Sequence, residues 1–207
     1  MAQNTSHAVM AQRKEPNDSL DYFPTPPWST RALCEWIASS VGANHMRKEL
    51  TAWEPACGEG HMARPLAEYF AEVHASDVHP YGYGEVSDFL FCGPREADWI
   101  ITNPPFRLAE QFIVTGLSRA RSGVAMLVRT AFLESVGRYE GLFKPYPPAA
   151  VLQFSERVPM HKGKLTETGS TATAYCWIVW RKNNRSETVF GWIPPCRKRL
   201  ERESDYV

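Results

Sequence analysis

The chain has 207 residues, 43% hydrophobic and 12% aromatic, which is enough for one domain with a sizeable core and excludes a disordered tail or a fibre. Lys plus Arg equals Asp plus Glu at 23 each, so total charge neither favours nor opposes a polyanionic partner. The five cysteines (34, 57, 92, 176 and 196) include no Cys-x-x-Cys pair, so neither a zinc site nor a disulfide framework is signalled and a reduced, cytoplasmic setting is expected.

Residues 1–20 are polar apart from Val9-Met10 and read as a flexible arm. They lack the basic start and apolar run of a secretion signal, and no run of eighteen apolar residues occurs anywhere. Tyr22-Phe-Pro-Thr-Pro-Pro-Trp28 is expected to be an extended strap, because its prolines fix the backbone. Ser29 or Thr30 then caps a helix through about Val41. From Leu50 the pattern is strand, turn, helix, strand: Thr51–Glu54 extended, a Gly-containing turn, 61–72 helical and 73–76 extended, which is a βαβ unit. Short apolar runs follow at 89–92 and 98–102, then a helix over 107–121 and a buried strand over 123–128. After a helical stretch near 132–143 and the breaker Pro145-Tyr-Pro-Pro148, the runs 149–154 and 172–180 read as an antiparallel hairpin on the edge of a mostly parallel, doubly wound sheet. The organisation expected is an arm (1–20), a single domain (21–182) and a basic C-terminal extension (183–207). Residues 157–202 hold ten basic and three acidic residues, against thirteen and eighteen in 1–156, which makes the C-terminal quarter the candidate for meeting phosphates.

Gly58-Glu-Gly60-His-Met-Ala63 follows the first strand and opens a helix, and Asp77 ends the next strand. Glycines let backbone approach a cofactor, a helix N-terminus favours its negative groups, and a carboxylate at Asp77 can hold two ribose hydroxyls. This pattern alone does not choose between a dinucleotide and S-adenosylmethionine. Cys57 reads as a small loop filler rather than a nucleophile, since no His and Asp arrangement supports it.

Asn103-Pro104-Pro105-Phe106 directly follows the run Trp99-Ile-Ile-Thr102, at the carboxyl end of a strand where doubly wound sheets bind ligands. The Asn103 side-chain oxygen and a main-chain carbonyl at Pro104 could accept the two N–H bonds of an amine. Pro104 and Pro105 would fix the turn, and Phe106 offers a flat face for stacking a planar target.

Glu54-Pro-Ala-Cys-Gly-Glu-Gly60 resembles motif I of class I S-adenosylmethionine-dependent methyltransferases, and the whole set resembles the DNA adenine-N6 methyltransferases, especially the compact phage and prophage type. The resemblance covers residues 20–182. It implies a seven-stranded Rossmann-like methyltransferase sheet and S-adenosylmethionine as cofactor. Asp21-Tyr-Phe-Pro-Thr-Pro-Pro27 looks like motif X, and its Tyr22 and Thr25 would meet the cofactor's methionine part together with Glu54, Ala56, Gly58 and Gly60. Asp77 would hold its ribose, Asp88 and Phe89 its adenine, and Asn103 would lie beside both cofactor and target. DNA is the partner implied. The chain departs from the pattern in carrying Met160 where relatives often have an aromatic residue. It also lacks a dedicated target-recognition domain, so that Arg157, His161, Lys162 and Lys164 of a fifteen-residue loop (157–171) are left to grip phosphates. Alternatives that stay open are methylation of an RNA base or of a protein glutamine amide, a non-catalytic nucleic-acid-binding relative and, more distantly, a nicotinamide dehydrogenase.

Overall fold

In a computed structural model, residues 21–167, 171–182 and 187–206 are described, and the arm expected over 1–20 lies outside them. Among the described residues eight strands form: β1 (Thr51–Glu54), β2 (Glu72–Asp77), β3 (Glu85–Val86), β4 (Ala97–Thr102), β5 (Ala120–Arg129), β6 (Ala150–Phe154), β7 (Tyr175–Arg181) and β8 (Val189–Ile193). They make one mixed sheet in the order β3-β2-β1-β4-β5-β7-β6-β8. The strands from β3 to β5 pair in parallel, β7 runs antiparallel between β5 and β6, and β8 lies parallel to β6 at the edge. All the forward strands therefore deliver their carboxyl ends to one rim.

Six α-helices among the described residues, α1 (Pro27–Val41), α2 (Ala43–Glu49), α3 (Ala63–Leu66), α4 (Ala109–Arg119), α5 (Val136–Arg138) and α6 (Arg197–Leu200), cover the two faces. One core places Trp28 and Leu33 of α1, Leu66 of α3 and Leu200 of α6 against Trp99 and Trp177 of the sheet. The other packs Phe112 and Ile113 of α4 against Trp53, Ile100, Val124 and Ile178. The indole N–H of Trp177 donates to the Ser29 carbonyl at 3.1 Å, which fixes α1 on β7. Arg31, 3% exposed, pairs with Glu68 at 2.8 Å and Asp205 at 2.7 Å, and also donates to the Leu200 carbonyl, so the C-terminal segment is fastened to α1.

Several expectations need correction. The sheet has eight strands among the described residues, not seven. The 149–154 and 172–180 runs do pair antiparallel, but β7 lies inside the sheet, because Tyr175 to Trp180 are buried on both faces and need neighbours on both sides. The edge belongs to β8, in the segment read as a basic extension. The strap ends sooner than expected, since Pro27 and Trp28 already belong to α1, where a first-turn proline loses no helical bond and Pro26 serves as the cap. The expected 61–72 helix shrinks to α3, since Pro65 can occupy only a first turn and its ring would clash with a longer N-terminal extension. The 132–143 stretch breaks into a 3₁₀ turn (Thr130–Leu133), α5 and a π turn (Tyr139–Phe143), in a segment where Gly137 and Gly141 weaken a continuous α-helix. The apolar run 89–92 is a turn rather than a strand.

Candidate cofactor and substrate site

A cavity of about 620 Å³ opens at the carboxyl ends of β1, β2 and β4. Glu54 leaves β1 into it, Asp77 leaves β2, and Asn103 follows β4, while the strap from Asp21 to Thr25 closes one side and the Asp88–Phe89 turn another.

The glycine loop between β1 and α3 requires its glycines. Gly58 and Gly60 sit at φ 51° and 83°, in the left-handed region. A Cβ on Gly58 would lie 2.4 Å from the Tyr22 ring, and one on Gly60 would lie 2.6 Å from Tyr83. The Tyr22 ring in turn stacks on Tyr81, with centroids 4.6 Å apart. Asp77 supports the same loop: its carboxylate accepts the Gly58 N–H at 2.9 Å and the His79 N–H at 2.9 Å. Each oxygen retains a lone pair for a further donor.

Glu54 is 2% exposed, and one of its oxygens has no hydrogen-bond partner. Burial, and then the neighbouring Asp77 carboxylate, push its carboxyl well above the ordinary glutamate range, against the opposing pull of the Ala63 N–H. A cation entering the cavity would relieve both. Burial and the charges of Glu54 and Asp77 push the Cys57 thiol up to about 12, so it is an inert filler, as the sequence suggests. Thr25 and Phe89 are buried in the wall, Ala56 and Asp88 complete it, and Phe89 stands edge-on to Trp53.

Asn103 has its amide oriented by the strap. Its N–H₂ donates to the Phe23 carbonyl at 2.9 Å and lies 3.9 Å from the Met160 sulfur, which leaves Oδ1 buried without a partner. Met160 therefore packs beside the asparagine. Pro104 is buried and Pro105 lines the cavity. Phe106 lies 5.1 Å from Phe23, and the Arg129 guanidinium covers its ring at 3.9 Å. Its N–H donates to Asp21 at 2.6 Å. Sequence reasoning missed Arg129, whose available signal was a single cation ending the apolar run of β5 at this rim. Asp21 opens the stretch likened to motif X, but its contact with Phe106, 85 residues away, left no signal in the sequence.

The 157–171 loop is partly described. Arg157 donates to the Ala172 carbonyl at 3.0 Å and so helps close its own loop. His161 and Lys164 bridge a turn whose Gly163, at φ 78°, donates its N–H to the Tyr22 carbonyl at 2.9 Å. Lys162 and Lys164 are exposed on that turn, whereas His161 is half-buried. The loop therefore sits against the back of the strap. Among the other C-terminal cations, Arg197 pairs with Glu201 and Arg199 with Glu35.

The glycine loop, the strand-end carboxylate of Asp77 and the turn after β4 thus meet at one cavity on the rim of the forward strands. No family model matches the chain. It is 28% identical over 158 residues to the type II methyltransferase M.TthHB8I of Thermus thermophilus; the match covers 71% of this chain and 34% of that protein, so the chain spans about a third of the relative's length. Its fold resembles a modification subunit of a "putative type I restriction enzyme" from Vibrio vulnificus (TM-score 0.57, 15% identity, 90% of this chain and 50% of that one). It also resembles magnesium protoporphyrin IX methyltransferase of Synechocystis with bound S-adenosylmethionine (TM-score 0.51, 15% identity, 74% and 79%). The fold is the Rossmann-like α/β fold of methyltransferases, built here on an eight-stranded mixed sheet. Among the described residues no helix is long and apolar enough to cross a membrane, and no group of three or more His, Cys, Asp or Glu could hold a metal.

Proposed function

We propose that this chain is an S-adenosylmethionine-dependent methyltransferase acting on an exocyclic amine, adenine N6 in DNA. The observation that carries the reading is the Asn103 oxygen, buried and unpartnered in the wall of the cavity that also holds the unpartnered Glu54 oxygen. A cation and an N–H donor are the groups these two acceptors lack, and a cofactor with an ammonium end beside an amine substrate supplies both. The likeness to a type II methyltransferase supports a DNA substrate.

The residues present fit that cofactor. Glu54 would hold its ammonium group, Tyr22, Thr25, Ala56, Gly58 and Gly60 would surround its methionine part, Asp77 would take the ribose hydroxyls, and Asp88 with Phe89 the adenine. When bound, the cofactor supplies an electrophilic methyl group on sulfur. Asn103 and the Pro104 carbonyl would accept the two amine N–H bonds, so that the nitrogen lone pair is freed from the ring. The same acceptors would stabilise the positive charge that develops on nitrogen as it takes the methyl group, whose bond to sulfur breaks with the electron pair left on sulfur, and one proton then passes from nitrogen to water. Arg129 covers one side of Phe106 and Phe23 leans on the ring at 5.1 Å, so a planar base would meet only the ring surface that these two leave open. Lys162, Lys164, His161 and Arg157 would meet phosphates on the strap side.

The test is transfer of a labelled methyl group to DNA, RNA and protein. DNA should take the label at adenine N6. Asn103→Ala should keep its fold and cofactor affinity while its rate falls roughly a hundredfold or more, as for other groups aimed at developing charge. Label in RNA or on protein glutamine would replace the substrate assignment, and an Asn103→Ala protein working at the parent rate would refute the mechanism.

A further inference from the structure

Strand β8 ends the sheet at the edge opposite β3 and lines no part of the cavity. Its residues Val189, Phe190 and Trp192 are 60%, 56% and 66% exposed, and the rings of Phe190 and Trp192 meet edge to face at 5.3 Å. Among the described residues β8 pairs on one side only, with β6. Val-Phe-Gly-Trp-Ile contains neither a charge nor a proline, the usual devices by which an exposed edge is kept from pairing.

We propose that this edge joins a second copy of the chain, β8 against β8, antiparallel about a two-fold axis at Gly191. The backbone alternation favours a copy of itself. The Val189 N–H donates to the Ala149 carbonyl and the Ile193 carbonyl accepts from the Ser155 N–H, so odd-numbered residues face β6. Phe190 and Trp192 accordingly direct their N–H and C=O groups to the open edge. A two-fold axis at Gly191 sets Phe190 opposite Trp192 of the other copy as a hydrogen-bonded pair and satisfies all of those groups at once. Gly191 meets itself at the close, non-hydrogen-bonded position, where the absence of a Cβ allows approach. Pro194, which has no N–H, ends the ladder.

The aromatic rings of both copies then form one cluster on one face. The exposed parts of the two rings amount to on the order of 250 Å² of apolar surface per copy, a sizeable share of the roughly 800 Å² per partner of a standard interface. A formal net charge of zero adds no repulsion between copies. Because the two β8 strands run oppositely, the two ligand-binding rims point opposite ways and each site works alone.

Sedimentation velocity of the full chain, with Phe190→Glu/Trp192→Glu as the comparison, tests this. The parent should run as a dimer and the double variant as a monomer, with unchanged circular dichroism and unchanged methyl transfer per chain. Mixing Phe190→Cys with Trp192→Cys under mild oxidation should give a disulfide-linked pair, since the Cα separation of a hydrogen-bonded pair, about 5.5 Å, suits a disulfide. A parent that stays monomeric at micromolar concentration, a double-Glu variant that still dimerises, or a dimer that does not cross-link in the mixture would each overturn the proposal.

Discussion

Glu54 is the residue whose ionisation the cavity opposes most, since burial and the Asp77 charge both raise its carboxyl. With the folded pKa above the unfolded one, the folded chain holds more protons than the unfolded chain between the two values. The ligand-free protein should therefore lose stability as pH rises from about 4.5 through the folded pKa. Cofactor affinity should move the other way, because an ammonium group needs the ionised form. Glu54→Gln should flatten both dependences, and melting curves with titration calorimetry across this range would check it; parallel slopes in parent and variant would clear Glu54 of the role. Asp77 makes a different prediction. If Asp77 holds ribose hydroxyls as proposed, Asp77→Ala removes that acceptor and also strands the buried Gly58 N–H, a loss of roughly 1.5–3 kcal/mol. Cofactor binding should weaken by about ten- to a hundredfold, with a lowered melting temperature. Unchanged affinity by calorimetry would remove Asp77 from the site.

At the scale of elements, the turn 161–164 makes the strongest claim on DNA. Replacing both Lys162 and Lys164 by alanine should reduce the slope of log affinity against log salt by about one to two units, close to 0.9 for each phosphate no longer neutralised. Affinity for the cofactor alone should stay as it was, because the backbone bond from Gly163 to Tyr22 survives side-chain truncation. A parent-like salt slope in the double variant would reduce the turn to a solvated surface. The central strands β4, β5 and β7 were legible as apolar runs because burial on both faces leaves little polar alternation to blur them, whereas β1 was legible from the glycine turn that follows it. β8 was not, because its large apolar residues are exposed and charge dominated the reading of that segment. A two-residue strand such as β3 is too short to leave any period. Helices were legible where apolar residues recur at helical spacing, as in α4. They failed where a proline or a glycine pair outweighed the apolar pattern, as at 61–72 and 132–143.

Over the whole molecule, the rim gathers residues that the sequence scatters. The glycine loop, Asp77 and the Asn-Pro-Pro-Phe turn were readable because each is a local pattern following a strand. The groups that orient them come from afar: the Phe23 carbonyl reaches Asn103 across 80 residues, and Arg129 arrives from β5 to cover Phe106. No spacing rule predicts such pairings, because they depend on strand order. The strap joins the two halves of the site. Tyr22 leans its ring over Gly58 on the cofactor side, while its carbonyl receives the Gly163 N–H from the turn that bears Lys162 and Lys164. One residue thus touches both places, so on the proposed function the two ligands are expected to be cooperative, and linkage makes the cooperativity mutual: the factor by which DNA would tighten the cofactor must equal the factor by which the cofactor would tighten DNA. Binding titrations run in both orders should return the same ratio, above one. Gly163→Pro, which removes the connecting N–H and cannot hold φ 78°, should bring that ratio to unity while each ligand still binds alone.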